Sequence, residues 1–187
     1  MKNILRNRLA LSTVVTTLII LVVSVLLAGV VTYFAINVVS TRVEEESLIA
    51  QKQHVWVDEG NVAAAALMIT NTGGRDVVLS KISCRGQDSD LATEVFYAVA
   101  ESGDDLTVDL NYTAGVTIAA ADVVGNFTNG LAAPTGTSIV LTSGSTIAVY
   151  INSPDSISVN DIGLTVALTV FTSQAMYYKE TNVEAIM

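Results

Sequence analysis

The chain has 187 residues and a formal net charge of −9, and 51% of its residues are hydrophobic against 14% charged. This length allows one modest domain in addition to an N-terminal segment. The acidic balance argues against nucleic acid as a partner, because phosphate binding requires clustered Lys and Arg side chains. The single cysteine, Cys84, excludes a disulfide within the chain, and its strand-like surroundings predict a small buried side chain.

The N-terminal segment contains no charged residue over Leu9–Thr41, a run of 33 positions. The apolar region of a secretory signal spans about 7–15 residues, whereas a membrane-spanning helix needs about 20. Within Leu11–Val31, 14 of 21 residues are Leu, Ile or Val, and these favour membrane insertion by about 4–8 kcal/mol. Basic residues before the run and glutamates at 44–46 after it predict an N-terminus in the cytoplasm and the bulk of the chain outside.

This apolar run is longer than a membrane crossing requires. As a helix it would extend over about 50 Å, against about 30 Å of hydrocarbon. Tyr33 and Phe34 would mark the outer interface, and apolar residues continue at helical spacing from Ile36 toward Ala50. An apolar stalk in water needs a partner, which is either its own β domain or neighbouring copies of the same helix.

The sequence of this segment, RLALSTVVTTLIILVVSVLLAGVVTYFAINV, resembles the N-terminus of archaeal type IV pilins and the related archaellins. The resemblance covers about one-fifth of the chain. It implies a leader over residues 1–10, cleaved between Ala10 and Leu11 by a prepilin peptidase, and a hydrophobic helix and stalk over residues 11–53. It also implies a precursor inserted in the membrane, an assembly ATPase with its platform, and an extracellular filament made of many copies of the chain.

Small residues within the run predict where helices approach one another. They are Ser24, Ala28, Gly29 and Ala35. Lipid tails are as apolar as the helix, so moving the helix from the membrane into a bundle gains little hydrophobic energy. Close packing at small residues must then supply the stabilisation.

The remainder, residues 54–187, has the pattern of a β domain. The loop Asp58–Asn61 separates two apolar runs and predicts a hairpin, and Asn71–Asp76 predicts a second turn. Three further runs predict strands, namely VVLSKISCR, STIAVYI and GLTVALTVFT. The last alternates apolar and small or polar residues with period two, which is typical of a strand with one buried face.

Weaker patterns predict strands near Thr93–Ala100, Leu106–Tyr112 and Val116–Ala120. Seven to nine short strands with no second helical pattern are typical of an immunoglobulin-like β-sandwich, so the expected fold class is α+β: a long hydrophobic helix followed by an all-β sandwich.

Few residues suit catalysis. His54 is the only histidine, and its place beside Trp56 favours a hydrogen-bonded structural histidine over a general base. No nucleophile elbow or nucleotide-binding loop occurs. Carboxylates cluster at residues 88–90 and 104–109, where solvated loops are a better interpretation than a calcium site. We therefore expect no enzyme activity, catalytic residue, metal or cofactor.

Two sequons, at Asn111 and Asn126, would accept glycans if the domain is exported. Taken together, these patterns predict a structural subunit of an extracellular type IV pilus-like filament with a role in adhesion or motility. The alternative is a monomeric, membrane-anchored extracellular β-sandwich that binds a ligand.

Overall fold

The structure is a computed structural model that describes residues 2–112, 127, 129–133 and 136–186, with side chains from residue 12 to 41 and from residue 45 onward in those ranges. The chain divides into two compact units, Met1–Val43 and Glu44–Met187. The expected order is confirmed: one long apolar helix precedes a domain made mostly of β-strands.

The first unit is a single helix, α1, which spans Lys2–Glu44. Its stretch Ser12–Thr41 is long and apolar enough to cross a membrane. Hydroxyl groups in this stretch are satisfied inside the helix, because Ser24 Oγ donates to the Ile20 carbonyl at 2.6 Å and Ser40 Oγ donates to the Ile36 carbonyl at 2.9 Å. These polar side chains therefore cost little in apolar surroundings.

The helix ends earlier than the apolar spacing toward Ala50 predicts. It stops at Glu44, and the first strand begins at Leu48. Leu48 and Ala50 are buried while Ile49 is exposed, so burial alternates with the period of a strand. The β unit consequently starts at residue 44 and not after residue 53.

Nine strands follow within the described residues. They are β1 (Leu48–Asp58), β2 (Ala63–Asn71), β3 (Val77–Cys84), β4 (Gln87–Ser89), β5 (Val95–Val99), β6 (Ile139–Leu141), β7 (Thr146–Asn152), β8 (Thr165–Thr172) and β9 (Met176–Ile186), with a short 3₁₀ turn at Val159–Asp161. The strand order is β4-β3-β8-β9-β1-β2-β7-β5, and β6 pairs with β3. The strand β9 joins the two halves of this curled sheet, because it pairs antiparallel with β8 over Met176–Asn182 and parallel with β1 over Val183–Ile186.

Most strand predictions are confirmed. The hairpin around Asp58–Asn61 joins β1 to β2, and β5 lies inside the predicted range Thr93–Ala100. The prediction for Leu106–Tyr112 is wrong, since this segment forms turns and extended chain without a strand partner. Its apolar residues alternate, but the backbone carbonyls of Leu106 and Val108 accept hydrogen bonds from the Lys52 side chain instead of from another strand. The predicted strand Val116–Ala120 lies outside the described residues.

The main core receives side chains from both halves of the sheet. Val55, Leu67 and Val149 contribute from one half, and Leu79 and Leu168 contribute from the other. Cys84 is fully buried in the same core, as predicted, and burial raises the pKa of its thiol to about 11. This cysteine is therefore a packing residue and not a reactive thiolate.

A second core lies on the opposite face of β2 and β7. Residues from the connection between β5 and β6, including Leu110, Phe127 and Leu131, cover Met68 and Tyr150 there. Since β2 and β7 are buried on both faces, their sequences are continuous apolar runs and do not alternate.

Asn71, at the end of β2, fastens the two turns that cross between the halves of the sheet, and it is fully buried. Its Nδ2 donates to the carbonyls of Arg75 at 2.8 Å and Leu141 at 3.1 Å, and its Oδ1 accepts from the Gly73 N–H at 3.0 Å. Its backbone N–H and carbonyl bond to the turn at residues 142–145, each at 2.9 Å. Every polar group of this residue is thus satisfied.

Candidate functional sites on the helix and on the β domain

The surface of α1 is apolar on every side. Its large hydrophobic side chains between Val14 and Val39 are 44% to 69% exposed, and they lie on every side of the helix. A globular protein in water does not leave such a surface uncovered. The stretch Ser12–Thr41 is therefore compatible with insertion in a membrane.

The small residues predicted to mediate helix packing occupy two faces. An α-helix turns by about 100° per residue, so Ser24, Ala28 and Ala35 lie within about 40° of one another along one stripe. Gly29 lies about 100° round the helix from Ala28, on the face of bulky residues such as Leu18. Gly29 has no side chain and so leaves a notch in that face. A Cβ placed there would meet no atom within 4 Å apart from the neighbouring residues and the surrounding helix backbone.

The predicted cleavage site lies within the helix. Ala10 and Leu11 both belong to α1, and their side chains lie outside the described residues. The prediction of cleavage between them stays a prediction.

One of the two predicted glycosylation sites falls on a described surface. Asn111 is exposed, and its backbone carbonyl accepts a hydrogen bond from the Tyr150 hydroxyl at 3.0 Å. This bond fixes the backbone at the sequon. Asn126 lies outside the described residues.

His54 lies between two carboxylates. Its Nε2 is 3.0 Å from Asp109 Oδ1, and its Nδ1 is 3.4 Å from Glu184 Oε1. The imidazole stacks on Trp56 with 5.0 Å between ring centroids and 4° between ring planes. Both ring nitrogens have partners, which fits the structural histidine that the sequence predicts. No hydroxyl or thiol nucleophile bonds to this ring among the described contacts.

The segment that carries Asp109, residues 104–112, is here called the strap. Lys52 binds it through the carbonyls of Leu106 and Val108, and Leu110 anchors it in the second core. Lys52 has a positive φ of 53°, which belongs to a bulge between Gln51 and His54. The bulge changes the direction in which the Lys52 and His54 side chains leave β1.

The electrostatics of Asp109 match this arrangement. Partial desolvation opposes its ionisation, but hydrogen bonds from His54 and from the Leu110 N–H lower the pKa of its carboxyl below the ordinary value. Lys52 adds a further favourable charge interaction. Asp109 is therefore ionised throughout the neutral range.

The remaining acidic clusters have local partners. Asp90 accepts hydrogen bonds from the Ala92 N–H and the Thr93 hydroxyl, which lower the pKa of its carboxyl, and Asp88 pairs with Lys81 at 2.7 Å. In the part of the chain that the structure describes, no three His, Cys, Asp or Glu residues are grouped so as to hold a metal ion.

The sequence gives no local signal for the His54 cluster. Asp109 and Glu184 are 55 and 130 positions away from His54, and a single exposed carboxylate has no periodicity that would mark it. Only the fold brings these residues together.

No protein-family model and no curated protein matches the chain. Solved structures that match include a β-glucosidase from Listeria innocua in complex with glucose, at 12% identity and a TM-score of 0.26, and a mutant of that enzyme in complex with laminaribiose, at 12% identity and 0.27. The matches cover 75% and 76% of this chain but 16% of each glucosidase. Similarity at this level carries no inference about activity.

Proposed function

We propose that this chain is the structural subunit of an extracellular, type IV pilus-like filament. The observation that carries the proposal is the uncovered apolar surface of α1 over Ser12–Thr41. This surface requires lipid before assembly and neighbouring helices after it. The sequence resemblance to archaeal pilins and archaellins is the reason to propose a filament as the assembly that these helices form.

The distribution of small residues supports packing against several neighbours. The stripe that contains Ala28 lets one helix approach closely, and the notch at Gly29 can receive a bulky side chain from another. A lone membrane anchor needs neither feature. Two different contact faces suit a bundle in which each helix touches more than one copy.

In this proposal the β domain forms the outer sheath of the filament. We take this domain to be an immunoglobulin-like sandwich, and the support for it is that both halves of the curled sheet contribute side chains to one core. The acidic surface keeps the sheath soluble. Adhesion and motility are both compatible with such a filament.

Assembly would proceed from a membrane-inserted precursor with a cytoplasmic N-terminus. A prepilin peptidase would remove residues 1–10, and an assembly ATPase and its platform would move the helix from lipid into the filament core. The partners are thus other copies of this chain and the assembly machinery, and the β domain needs no cofactor for this role.

The test is mass spectrometry and electron microscopy of material sheared from the surface of the native cells. We expect filaments whose subunit begins at Leu11. A native protein that keeps Met1 and is found only as monomers would contradict the proposal and favour the membrane-anchored binding module.

A further inference from the structure

An open groove lies between β1 and β9 where the two strands are not paired. Their parallel ladder covers only Val55–Asp58 of β1 and Val183–Ile186 of β9. Before this ladder the strands leave a groove of about 220 Å³, lined by Leu48, Ile49, Ala50, Tyr177, Tyr178 and Lys179. This surface, here called the β1–β9 groove, is mostly aliphatic and aromatic, and its volume suits a single large side chain from outside.

Two polar groups of the β1–β9 groove suit an aromatic occupant that carries a hydroxyl. Lys179 is exposed and forms no ion pair within the described part of the chain, and an ammonium group attracts the negative face of an aromatic ring. The Tyr178 hydroxyl donates to Glu180 Oε1, so its oxygen remains able to accept a hydrogen bond. The charge of the groove is thus complementary to both the ring and the hydroxyl hydrogen of a phenol.

Tyr33 presents a phenol on α1. Its side chain is 69% exposed, a value that only Phe34 equals among the large hydrophobic residues of the described chain. The Ser24 hydroxyl bonds to the backbone of its own helix, but a tyrosine hydroxyl extends beyond its own backbone. Tyr33 therefore needs an outside partner for its hydroxyl once the helix leaves the lipid interface, where an amphipathic ring is stable.

The Tyr33 side chain and the β1–β9 groove are different patches of the same chain. A contact between different patches of two copies is heterologous, and a heterologous contact that does not close into a ring repeats as a helical filament. A second copy of this chain is thus an occupant with which the contact can be repeated from subunit to subunit. This is the kind of symmetry that the proposed filament requires.

We propose that the β1–β9 groove receives the Tyr33 side chain of a neighbouring copy in the filament. The ring packs against Ile49 and Tyr177. Its face meets the Lys179 ammonium group, and its hydroxyl bonds to the Tyr178 hydroxyl. The inference rests on the proposed function and adds to it a contact between the helix of one copy and the β domain of the next.

Photo-crosslinking of filaments tests the contact. Cells express two forms of the full-length chain together: one carries p-benzoylphenylalanine in place of Tyr33, and the other is unchanged at residue 33 and carries an affinity tag. After irradiation of the sheared filaments, we expect tagged dimers whose crosslinked peptides contain residues 48–50 or 176–179. The tag ensures that each such dimer joins two different copies.

Two matched controls show whether the crosslink depends on the groove. Ile49→Asp places a charge in the groove at a residue that is 48% exposed, and it should lower the yield of tagged dimers by about tenfold. Val140→Asp places the same charge on β6 at a residue that is 61% exposed and does not line the groove, and it should leave the yield unchanged. Trp56 fluorescence checks that both β domains are folded.

The position of the photoreactive residue supplies the third control. Phe34 is as exposed as Tyr33 but lies about 100° round the helix, so the photoreactive residue at position 34 should not label the groove. Filaments in which residue 33 crosslinks to other peptides, to lipid or only within its own chain would overturn the inference and leave the proposed function intact. A surface protein found only as monomers would overturn both.

Discussion

A single buried amide connects the two halves of the β domain. Asn71 bonds to the turn that leads into β3 and to the turn that leads into β7, and neither turn contains another fully buried polar side chain among the described residues. A buried hydrogen-bonded group of this kind contributes modestly to the free energy of unfolding. Removing it lowers that free energy by more, because its buried partners lose their hydrogen bonds. Asn71 thus adds a buried connection between the two turns to the pairing of β9 with both halves of the sheet.

We expect Asn71→Ala to lower the free energy of unfolding by about 2–4 kcal/mol, since it removes the side-chain hydrogen bonds to the carbonyls of Arg75 and Leu141 and to the Gly73 N–H inside a buried site. Urea unfolding of the full-length chain in detergent, followed by the fluorescence of Trp56, measures the loss. Trp56 is the single tryptophan and is 5% exposed, so its emission reports on the β domain.

Thr72→Ala is the matched control. Thr72 adjoins Asn71, but its hydroxyl is exposed and bonds to Ser47 at 3.0 Å, so its loss should cost at most about 1 kcal/mol. Equal losses in the two variants would show that Asn71 does not fasten the turns.

At the scale of elements, the helix offers a direct test of packing at Gly29. We expect Gly29→Leu to abolish filaments while membrane insertion and the β domain stay intact, because a leucine fills the notch that a neighbouring helix would occupy. Apart from the neighbouring residues and the surrounding helix backbone, no atom lies within 4 Å of the added Cβ, so we expect the substitution to leave the monomer undisturbed. Electron microscopy of surface material and membrane fractionation measure the two outcomes.

Gly29→Ala is the control for this change, since it removes the helix penalty of glycine, about 1 kcal/mol, and adds only a methyl group. We expect filaments from this variant. Normal filaments from Gly29→Leu would locate the helix contacts elsewhere, for example on the stripe that contains Ala28.

Periodicity explains which elements could be predicted from the sequence. The strand β8 has one buried face, and its alternation of Val166, Leu168 and Val170 with smaller residues is visible in the sequence. The strand β9 is exposed at most positions, with Val183 its only fully buried residue, so it shows no apolar alternation and was not predicted. The strap shows the converse, because alternation at Leu106 and Val108 predicts a strand although no neighbouring strand is available to pair with it.

The site residues follow the same rule. Residues on a single helix, such as Ala28 and Gly29, can be proposed as packing positions from the sequence of that helix alone. The cluster of His54, Asp109 and Glu184 depends on a bulge in β1, a long connection and the final strand. No local pattern encodes contacts over such separations.

For the whole molecule, export of the β domain would expose Asn111 to glycosylation. Its side chain is exposed and its backbone is fixed by the Tyr150 hydroxyl, so a glycan can attach without disturbing the second core. We expect the intact mass of native surface protein to exceed the polypeptide mass, and Asn111→Gln to reduce that excess. A native mass equal to the bare polypeptide would contradict this prediction.

The position of β9 determines when the β domain can close. Val55 in β1 pairs with Val183 in β9. The parallel pairing of β1 can therefore form only after β9 has been synthesised. Because a ribosome makes the chain from its N-terminus, β1 exists with an open edge throughout the synthesis of every intervening strand. Unpaired edges of this kind recruit strands from other chains, and contacts between distant residues form slowly. The eleven residues of β9, Met176–Ile186, therefore close the open edge of β1. A ribosome or translocation channel that stalls before β9 would release an aggregation-prone product.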